Sequence, residues 1–278
     1  MTLGKLYSEG ASFLSDALKE DAKTDARLLL EHVFSIDRNY LYLHPEACCD
    51  EDKADRFMEL IKKRASHIPV QHLTNKADFM GLEFYVDGNV LIPRADTECV
   101  VEEAMLVISD GMKVLDMCTG SGCILISLMK YKNDIEGVAA DISGDALLVA
   151  EKNAKLHGCD INFVKSDLFG SLGDERFDAI ISNPPYIRSE DIEGLMEEVR
   201  DHDPFIALDG HADGLYFYRE IGREALKHLP AGGKLILEIG YDQAGPVSEI
   251  LKDAGYKSIR VKKDLAGNDR VILCERGL

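Results

Sequence analysis

The stretch VLDMCTGSGCILISLM, residues 114–129, decides the fold of the larger part of the chain. An apolar strand ends at Asp116, Gly120 and Gly122 form a turn, and a second apolar run begins a helix. Glycines in such a turn let the backbone approach a ligand closely. The turn lacks the full GxGxxG pattern of a dinucleotide site, and no P-loop lysine follows it. We therefore predict a binding loop for a ligand without a pyrophosphate. The alternative is an ordinary glycine-rich turn.

Strand and helix patterns alternate from about residue 96 to the end of the chain. Such alternation favours a parallel sheet with helices on both faces. The helix after Asp141 is typical, because Ser143 can cap its start and Gly158 can close its end. The predicted strands are 114–117, 138–140, 161–164, 178–182, 234–239, 258–261 and 271–274. We predict an α/β fold with a Rossmann-like, mostly parallel seven-stranded sheet whose last two strands form an antiparallel edge.

Two acidic residues follow the second and third strands of this sheet. Asp141 has the spacing at which an acidic side chain accepts hydrogen bonds from a ribose diol in doubly wound folds. Asp167 could accept from an adenine amino group, with Leu168 against the ring, because ligands of open α/β folds bind at the carboxyl ends of the strands. Asp141 could instead be only a turn residue before Ser143. The segment with Asp167 and Leu168 could instead be a polar turn followed by core residues.

The fourth strand leads into Asn183, Pro184, Pro185 and Tyr186. Asn183 supplies a carbonyl acceptor, the prolines make the turn rigid, and the Pro184 carbonyl remains a second acceptor. Two acceptors can hold both hydrogens of an NH2 group, and Tyr186 offers a flat face for a planar amide or base. This grip orients a poorly nucleophilic nitrogen and stabilises the positive charge that develops on it. A structural proline-rich loop with a buried tyrosine is the alternative.

The first part of the chain has a different pattern. Apolar residues recur at helical spacing from Ala26 and again from Ala54, each set after an aspartate that could cap the helix. The alternation in GLEFYV, residues 81–86, predicts a strand paired in a hairpin with the residues near Asp78 and Phe79. We predict a small helical domain (1–74), a hairpin linker (75–95) and a catalytic domain (96–278).

Composition limits the functional classes. The formal net charge of −18 would repel a phosphate backbone and disfavours a nucleic-acid substrate. The seven cysteines show no metal-site spacing, so we expect neither a metal nor structural disulfides. The apolar runs are too short for a membrane span, and the first residues do not form a signal peptide. We therefore predict a cytoplasmic protein without a membrane partner.

These residues resemble the class I S-adenosylmethionine methyltransferases, and in particular the release-factor glutamine N5-methyltransferases (the PrmC/HemK family). The Asn-Pro-Pro-Tyr motif also occurs in adenine-N6 methyltransferases, so the resemblance to the glutamine enzymes depends on stretches outside the motif. Those stretches are DARLLLEHV (25–33), PVQHLTNKADFMGLEFYVDGNVLIPRADTE (69–98) and EVRDHDPFIALDGHADGLYFYREI (198–221). The resemblance covers nearly the whole chain.

This resemblance implies methyl transfer from S-adenosylmethionine to the glutamine of the Gly-Gly-Gln motif of class 1 peptide-chain release factors. It also implies that the N-terminal helical domain receives the release factor. The implied cofactor residues are Cys118, Thr119, Gly120, Ser121, Gly122, Asp141, Asp167, Leu168 and Asn183, and the implied glutamine pocket is Asn183, Pro184, Pro185 and Tyr186. Arg94 and Glu98 belong to the family's IPR segment, where a structural ion-pair role is the alternative.

The chain departs from the family pattern at three places. Cys118 stands where glycine is usual, Asn75 stands at a usual glycine before the hairpin, and His202, Asp203 and Pro204 stand where Phe-Glu-Pro is usual. None of these changes removes a group that the chemistry needs. Two other functions remain open at this point: an adenine-N6 methyltransferase acting on a flipped base of DNA or RNA, and a binding module that has lost activity.

Overall fold

The computed structural model describes residues 1–277, which form two compact units. The first consists of Met1–Lys76 and Met196–His202, and the second of Ala77–Leu195 and the chain from Asp203 onward. The helices are α1 Leu3–Leu18, α2 Ala22–Phe34, α3 Arg38–Leu43, α4 Glu51–Ala65, α5 Val70–Thr74, α6 Glu98–Val107, α7 Cys123–Tyr131, α8 Gly144–His157, α9 Glu197–Arg200, α10 Phe205–Leu208, α11 Tyr216–His228 and α12 Ala244–Ala254. The strands are β1 Ala77–Phe79, β2 Leu82–Phe84, β3 Lys113–Met117, β4 Glu136–Asp141, β5 Ile161–Lys165, β6 Ala179–Ser182, β7 Lys234–Glu238, β8 Tyr256–Lys263 and β9 Asp269–Arg276.

The first unit is the helical bundle that the spacing of apolar residues predicts. The apolar faces of α1, α2 and α4 meet in one core, which contains Leu6, Leu14, Leu29, Leu30, Phe57 and Ile61. Each of these six side chains is almost completely buried. Burial of a side chain of this size contributes about 1.5–3 kcal/mol, so this core stabilises three helices that are individually too short to be stable in water.

The predicted cap at Asp25 is wrong. Helix α2 begins one turn earlier, at Ala22, and the Asp25 carboxylate instead accepts a 2.6 Å hydrogen bond from Nε of Arg64. Both side chains are buried, so each charge requires the other as a partner. Burial raises the pKa of Asp25, and this effect outweighs the hydrogen bond and the positive charge of Arg64, which both lower it. Helix α4 is capped by Asp50, which accepts from the Lys53 N–H at 3.0 Å.

The seven-stranded sheet of the second unit confirms the predicted fold. Its strand order is β5-β4-β3-β6-β7-β9-β8, parallel from β5 to β7 and antiparallel at the β7–β9 and β9–β8 pairs. All seven observed strands overlap the predicted ones. The chain order reverses at β3, which has β4 on one side and β6 on the other. This topological switch point is where ligands of open α/β sheets bind.

Alternate residues of the central strands pack into cores on opposite faces of the sheet. Val114 and Ile181 belong to one core, and Leu115 and Ile180 belong to the other. This period of two follows from the pleat of a β-strand, and burial on both faces explains why these strands are mostly apolar. The helix caps predicted for α8 are confirmed, because Ser143 Oγ accepts from the Ala146 N–H at 3.1 Å and Gly158 adopts φ +66°.

The hairpin is confirmed as the antiparallel pair β1–β2, with Ala77 opposite Phe84 and Phe79 opposite Leu82. Asn75, which ends α5, has φ +56°, in the left-handed region where glycine and asparagine are favoured. Within residues 1–277, no helix combines the length and apolar character that a membrane span requires.

Candidate active site

A cavity of about 340 Å³ lies at the carboxyl ends of β3, β4, β5 and β6. Most of the side chains that the sequence predicts for the site line it together. These are Cys118, Thr119, Gly120, Ser121, Asp141, Asp167, Leu168, Asn183 and Pro185. Gly122, Pro184 and Tyr186 are not among the lining residues within 1–277. The glycine loop, the two acidic positions and the acceptor loop therefore contribute to one cavity.

The glycine loop has three residues in the left-handed region: Cys118 (φ +60°), Gly120 (φ +56°) and Gly122 (φ +78°). At Gly122, which precedes α7, a Cβ atom would lie 3.0 Å from Cδ1 of Ile126 and 3.2 Å from Cβ of Ala150. Gly122 thus allows the loop to pack closely against the helices rather than contacting the cavity. Cys118 adopts a conformation that is unfavourable for a residue with a side chain, at the position where the family that the sequence resembles usually has glycine.

The base of the loop is held by a buried acid. Asp116 accepts a 2.6 Å hydrogen bond from the Thr119 hydroxyl, which joins the end of β3 to the loop. Burial raises the pKa of Asp116 to about 7, and the hydrogen bond from Thr119 acts in the opposite direction. Burial likewise raises the pKa of the Cys118 thiol, so this cysteine remains protonated at neutral pH.

Asp141 lies at the end of β4, directly beside the glycine loop. Its Oδ2 accepts the Gly120 N–H at 2.9 Å, and its Oδ1 accepts the Ser143 N–H at 2.9 Å. Burial raises the pKa of Asp141, while these backbone donors stabilise its ionised form. A carboxylate has about four acceptor sites, so the carboxylate keeps acceptor capacity for a hydroxyl group of a ligand in the cavity.

The loop after β5 presents Asp167 and Leu168 to the cavity. Leu168 has φ +44°, an uncommon conformation for a branched side chain. Ser166 holds this conformation, because its hydroxyl donates to the Leu168 carbonyl at 2.6 Å and accepts the Ser171 N–H at 2.9 Å. The donor and acceptor pattern fits a nucleoside: carboxylates for a diol and an amino group, with apolar side chains for a planar base.

The acceptor loop follows β6. Nδ2 of Asn183 donates to Oγ1 of Thr97 at 3.3 Å, which leaves the side-chain oxygen of Asn183 as an acceptor for a group in the cavity. The Tyr186 hydroxyl donates to Oε1 of Glu238 at 3.2 Å, and the Tyr186 carbonyl accepts from Nε2 of Gln243 at 2.9 Å. These bonds tie the loop to the end of β7. The flat-face role of Tyr186 stays a prediction.

Two further chain segments line the cavity, and neither was predicted from the sequence to do so. The segment before α6 contributes Val90, Leu91, Arg94 and Thr97, and the segment around α10 contributes Ile206, His211 and Phe217. Residue spacing gives no signal for these positions, because they are far from the glycine loop in sequence and form no motif with it. The resemblance in residues 69–98 and 198–221 was the one sign of their importance.

Arg94 and Glu98 have different surroundings. Arg94 lines the cavity and also donates to the buried Asp203 carboxylate at 2.6 Å. Asp203 is the shorter acid that stands where the family that the sequence resembles usually has glutamate, and here it pairs with Arg94. Oε1 of Glu98 accepts the Met80 N–H at 2.5 Å, so Glu98 holds the hairpin turn. Within residues 1–277, no group of three or more His, Cys, Asp or Glu side chains could hold a metal ion.

Comparisons with known proteins found two matching family models, relatives along nearly the whole chain and solved structures of the same fold. The PrmC N-terminal domain matches residues 5–74, and the methyltransferase small domain matches residues 98–199. A release factor glutamine methyltransferase of Clostridium acetobutylicum is 40% identical over 96% of this chain and 95% of its own length. A release factor glutamine methyltransferase of Geobacter sulfurreducens is 37% identical over 98% of this chain and 95% of its own length. The crystal structure of a Pyrococcus furiosus methyltransferase has the same fold, with a TM-score of 0.56 and 18% sequence identity. The superposition covers 78% of this chain and 100% of the Pyrococcus chain.

Proposed function

The chain belongs to the release factor glutamine methyltransferase family, and on that premise we propose that it methylates N5 of a release-factor glutamine. The proposed methyl donor is S-adenosylmethionine, and the proposed target is the Gly-Gly-Gln motif of class 1 peptide-chain release factors. One observation carries the proposal: Asn183 lines the same cavity as the glycine loop and Asp141. A cofactor held by the loop and an amide held by Asn183 would therefore meet in one enclosed space.

The cofactor half of the cavity has the groups that a nucleoside requires. Asp141 would accept from the ribose hydroxyls through its remaining acceptor capacity, and Asp167 would accept from the adenine amino group beside Leu168. The turn at Cys118 to Gly122 would lie against the amino-acid part, where the glycines allow close approach. S-Adenosylmethionine supplies an electrophilic methyl group when it is bound.

The acceptor half of the cavity has to activate a poor nucleophile. The lone pair of an amide nitrogen is delocalised into its carbonyl group, so the nitrogen must be held in line with the methyl group. Oδ1 of Asn183 and the Pro184 carbonyl would each accept one N–H of the glutamine side chain. Both oxygens stabilise the positive charge that develops on nitrogen as the new bond forms. The bond between sulfur and the methyl group would break as the new bond forms, its electron pair would stay on sulfur, and S-adenosylhomocysteine would leave. The nitrogen would give one of its protons to water and become neutral.

The release factor is a large folded substrate, and we propose that the helical domain, residues 1–74, receives it while residues 96–278 perform the transfer after the 75–95 linker. The net charge of −18 supports a protein rather than a nucleic-acid substrate. The proposal assigns the reaction to the cytoplasm, where translation takes place.

A labelling experiment tests the proposed function. The enzyme is incubated with labelled S-adenosylmethionine and, separately, with a release factor, a release factor whose Gly-Gly-Gln glutamine is replaced by alanine, adenine-containing DNA, and RNA. We expect label in the unaltered release factor alone. Label in DNA or RNA would instead identify an adenine-N6 methyltransferase, and the absence of label in every substrate would indicate a binding module.

A further inference from the structure

Gln243 lies behind the acceptor loop, and no step of the proposed reaction uses it. It immediately precedes α12, at the position where serine, threonine, aspartate or asparagine usually caps a helix. Its side chain makes no capping hydrogen bond, and the residue is only 7% exposed. A buried amide requires hydrogen-bond partners, so the partners of this side chain indicate what it does.

Three backbone groups fix the orientation of the Gln243 amide. Nε2 donates to the Tyr186 carbonyl at 2.9 Å and to the Gly214 carbonyl at 3.2 Å, which uses both of its hydrogens. Oε1 accepts the Gly240 N–H at 2.9 Å. A carbonyl only accepts and a backbone N–H only donates, so the reversed orientation would lose all three bonds. The side chain therefore joins the acceptor loop to the turn before α11 and to the turn after β7.

The acceptor loop also packs directly against the backbone between α10 and α11, a segment that lines the cavity. The Ile187 N–H donates to the Leu208 carbonyl at 3.1 Å, and the Gly210 N–H donates to the Ile187 carbonyl at 2.7 Å. A Cβ atom at Gly210 would lie 2.7 Å from Cα of Tyr186, and one at Gly214 would lie 2.5 Å from the Tyr186 carbonyl oxygen. Both distances are too short for a real Cβ atom, so glycine at these two positions allows the close approach.

The acceptor loop is thus anchored at both ends. At the end of β6, the Ser182 hydroxyl donates to the Met117 carbonyl at 2.6 Å. At the other end, Gln243 holds the Tyr186 carbonyl. The two consecutive prolines between these anchors have a fixed φ, which leaves the loop little freedom to absorb a displacement. A shift at Tyr186 would therefore move the two proposed acceptor oxygens as well.

We infer that Gln243 is a positioning residue, which sets the distance of the two proposed acceptor oxygens from the cofactor half of the cavity. The inference rests on the proposed function, since it gives the position of the acceptor loop a purpose in methyl transfer. Gln243 acts through the Tyr186 carbonyl, and it lies outside the cavity lining that residues 1–277 form.

The first test replaces Gln243 by glutamate, which has the same shape and keeps an acceptor for the Gly240 N–H but loses both donors. At pH 8 the carboxylate would face two carbonyl oxygens, so the loop should shift. Methylation rates with a release factor give kcat and KM, and calorimetry gives the S-adenosylmethionine affinity and the number of binding-competent sites. We expect Gln243→Glu to lower kcat per competent site roughly 10-fold to 100-fold, as loss of a productive geometry does, with little change in cofactor affinity.

The count of competent sites separates positioning from stability. A merely structural role would lower Tm and the number of competent sites but leave kcat per site unchanged. Tyr218→Phe is the control from the same buried cluster. The Tyr218 hydroxyl lies 3.2 Å from Oε1 of Gln243, but its removal leaves all three backbone bonds of the amide in place. Tyr218→Phe should therefore keep the wild-type kcat per site.

Gly214→Ala disturbs the same contact from the other side and keeps the inference testable if Gln243→Glu does not fold. The new Cβ atom would press on the Tyr186 carbonyl oxygen, so kcat per site should fall over the same range. Gly232→Ala is the matched control, because Gly232 has φ +78° and Gly214 has φ +71°. Apart from its chain neighbours, no heavy atom of residues 1–277 would lie within 4 Å of a Cβ atom at Gly232. Both variants should lower Tm, but only Gly214→Ala should lower kcat per site.

A wild-type kcat per site in Gln243→Glu or in Gly214→Ala would overturn the inference. So would an equal loss of kcat in the two controls, or a fall in cofactor affinity that accounts for the whole loss of rate. If instead the wild-type enzyme fails to methylate any release factor, the proposed function itself is wrong.

Discussion

Replacement of Asp141 by alanine tests the cofactor half of the cavity. The carboxylate oxygens of Asp141 accept backbone N–H groups at 2.9 Å, and Asp141 lines the cavity, so its remaining acceptor capacity is available to a ligand there. A hydrogen bond to a charged group contributes about 1.5–3 kcal/mol. Since 1.4 kcal/mol is a factor of ten, Asp141→Ala should weaken S-adenosylmethionine binding about 10-fold to 150-fold.

Isothermal titration calorimetry measures this change, with Asp145→Ala as the matched control. Asp145 is exposed in the first turn of α8 and does not line the cavity, so its replacement removes the same charge without a contact. The control should bind the cofactor like the wild type. Asp141→Ala should also lower Tm somewhat, because the N–H groups of Gly120 and Ser143 lose their acceptor. Equal affinities in Asp141→Ala and the wild type would refute the ribose assignment.

Three further predictions concern the acceptor loop, the helical domain and the buried acid. Asn183→Ala should lower the methylation rate roughly 100-fold or more, and Asn183→Asp, which keeps an acceptor, should retain more activity; equal rates for the wild type and Asn183→Ala would contradict the assignment. Deletion of residues 1–70 should leave cofactor affinity largely intact but slow methylation of the folded release factor, and a full rate would show that these residues do not dock it. Burial raises the pKa of Glu238 from 4.5 to about 7, so its contribution to stability is present below pH 4.5 and is lost as the pH rises through about 7. Glu238→Gln should therefore gain stability relative to the wild type between pH 5 and pH 8, on the order of 3 kcal/mol; a difference in Tm that does not change with pH would contradict this.

The sequence predicted the sheet well because its strands carry local signals. Strands such as Lys113–Met117 are buried on both faces, so they are mostly apolar and easily recognised. The caps at Ser143 and Gly158 likewise depend on neighbouring residues alone. The order of the strands and the position of the switch point follow from the general rules for alternating patterns rather than from particular residues.

The predictions that failed or were missing depend on distant partners. Asp25 has the local properties of a helix cap, but Arg64, 39 residues away, binds it in the bundle core. Thr97 resembles an ordinary helix-start residue until the fold brings Asn183 within 3.3 Å of it. Local patterns contain no information on such pairs. The sequence therefore predicted the glycine loop, the two acidic positions and the acceptor loop of the cavity, but neither its other two lining segments nor the side chains that hold the loops in place.

The most direct test of the account is to locate the methyl group on the product. A release factor methylated by the wild-type enzyme is digested, and the Gly-Gly-Gln peptide is fragmented in a mass spectrometer. We expect one added methyl group on the side-chain nitrogen of that glutamine, and a much smaller fraction of methylated peptide with Asn183→Ala. Methylation of a different residue, or of the same glutamine at an equal rate in both enzymes, would contradict it.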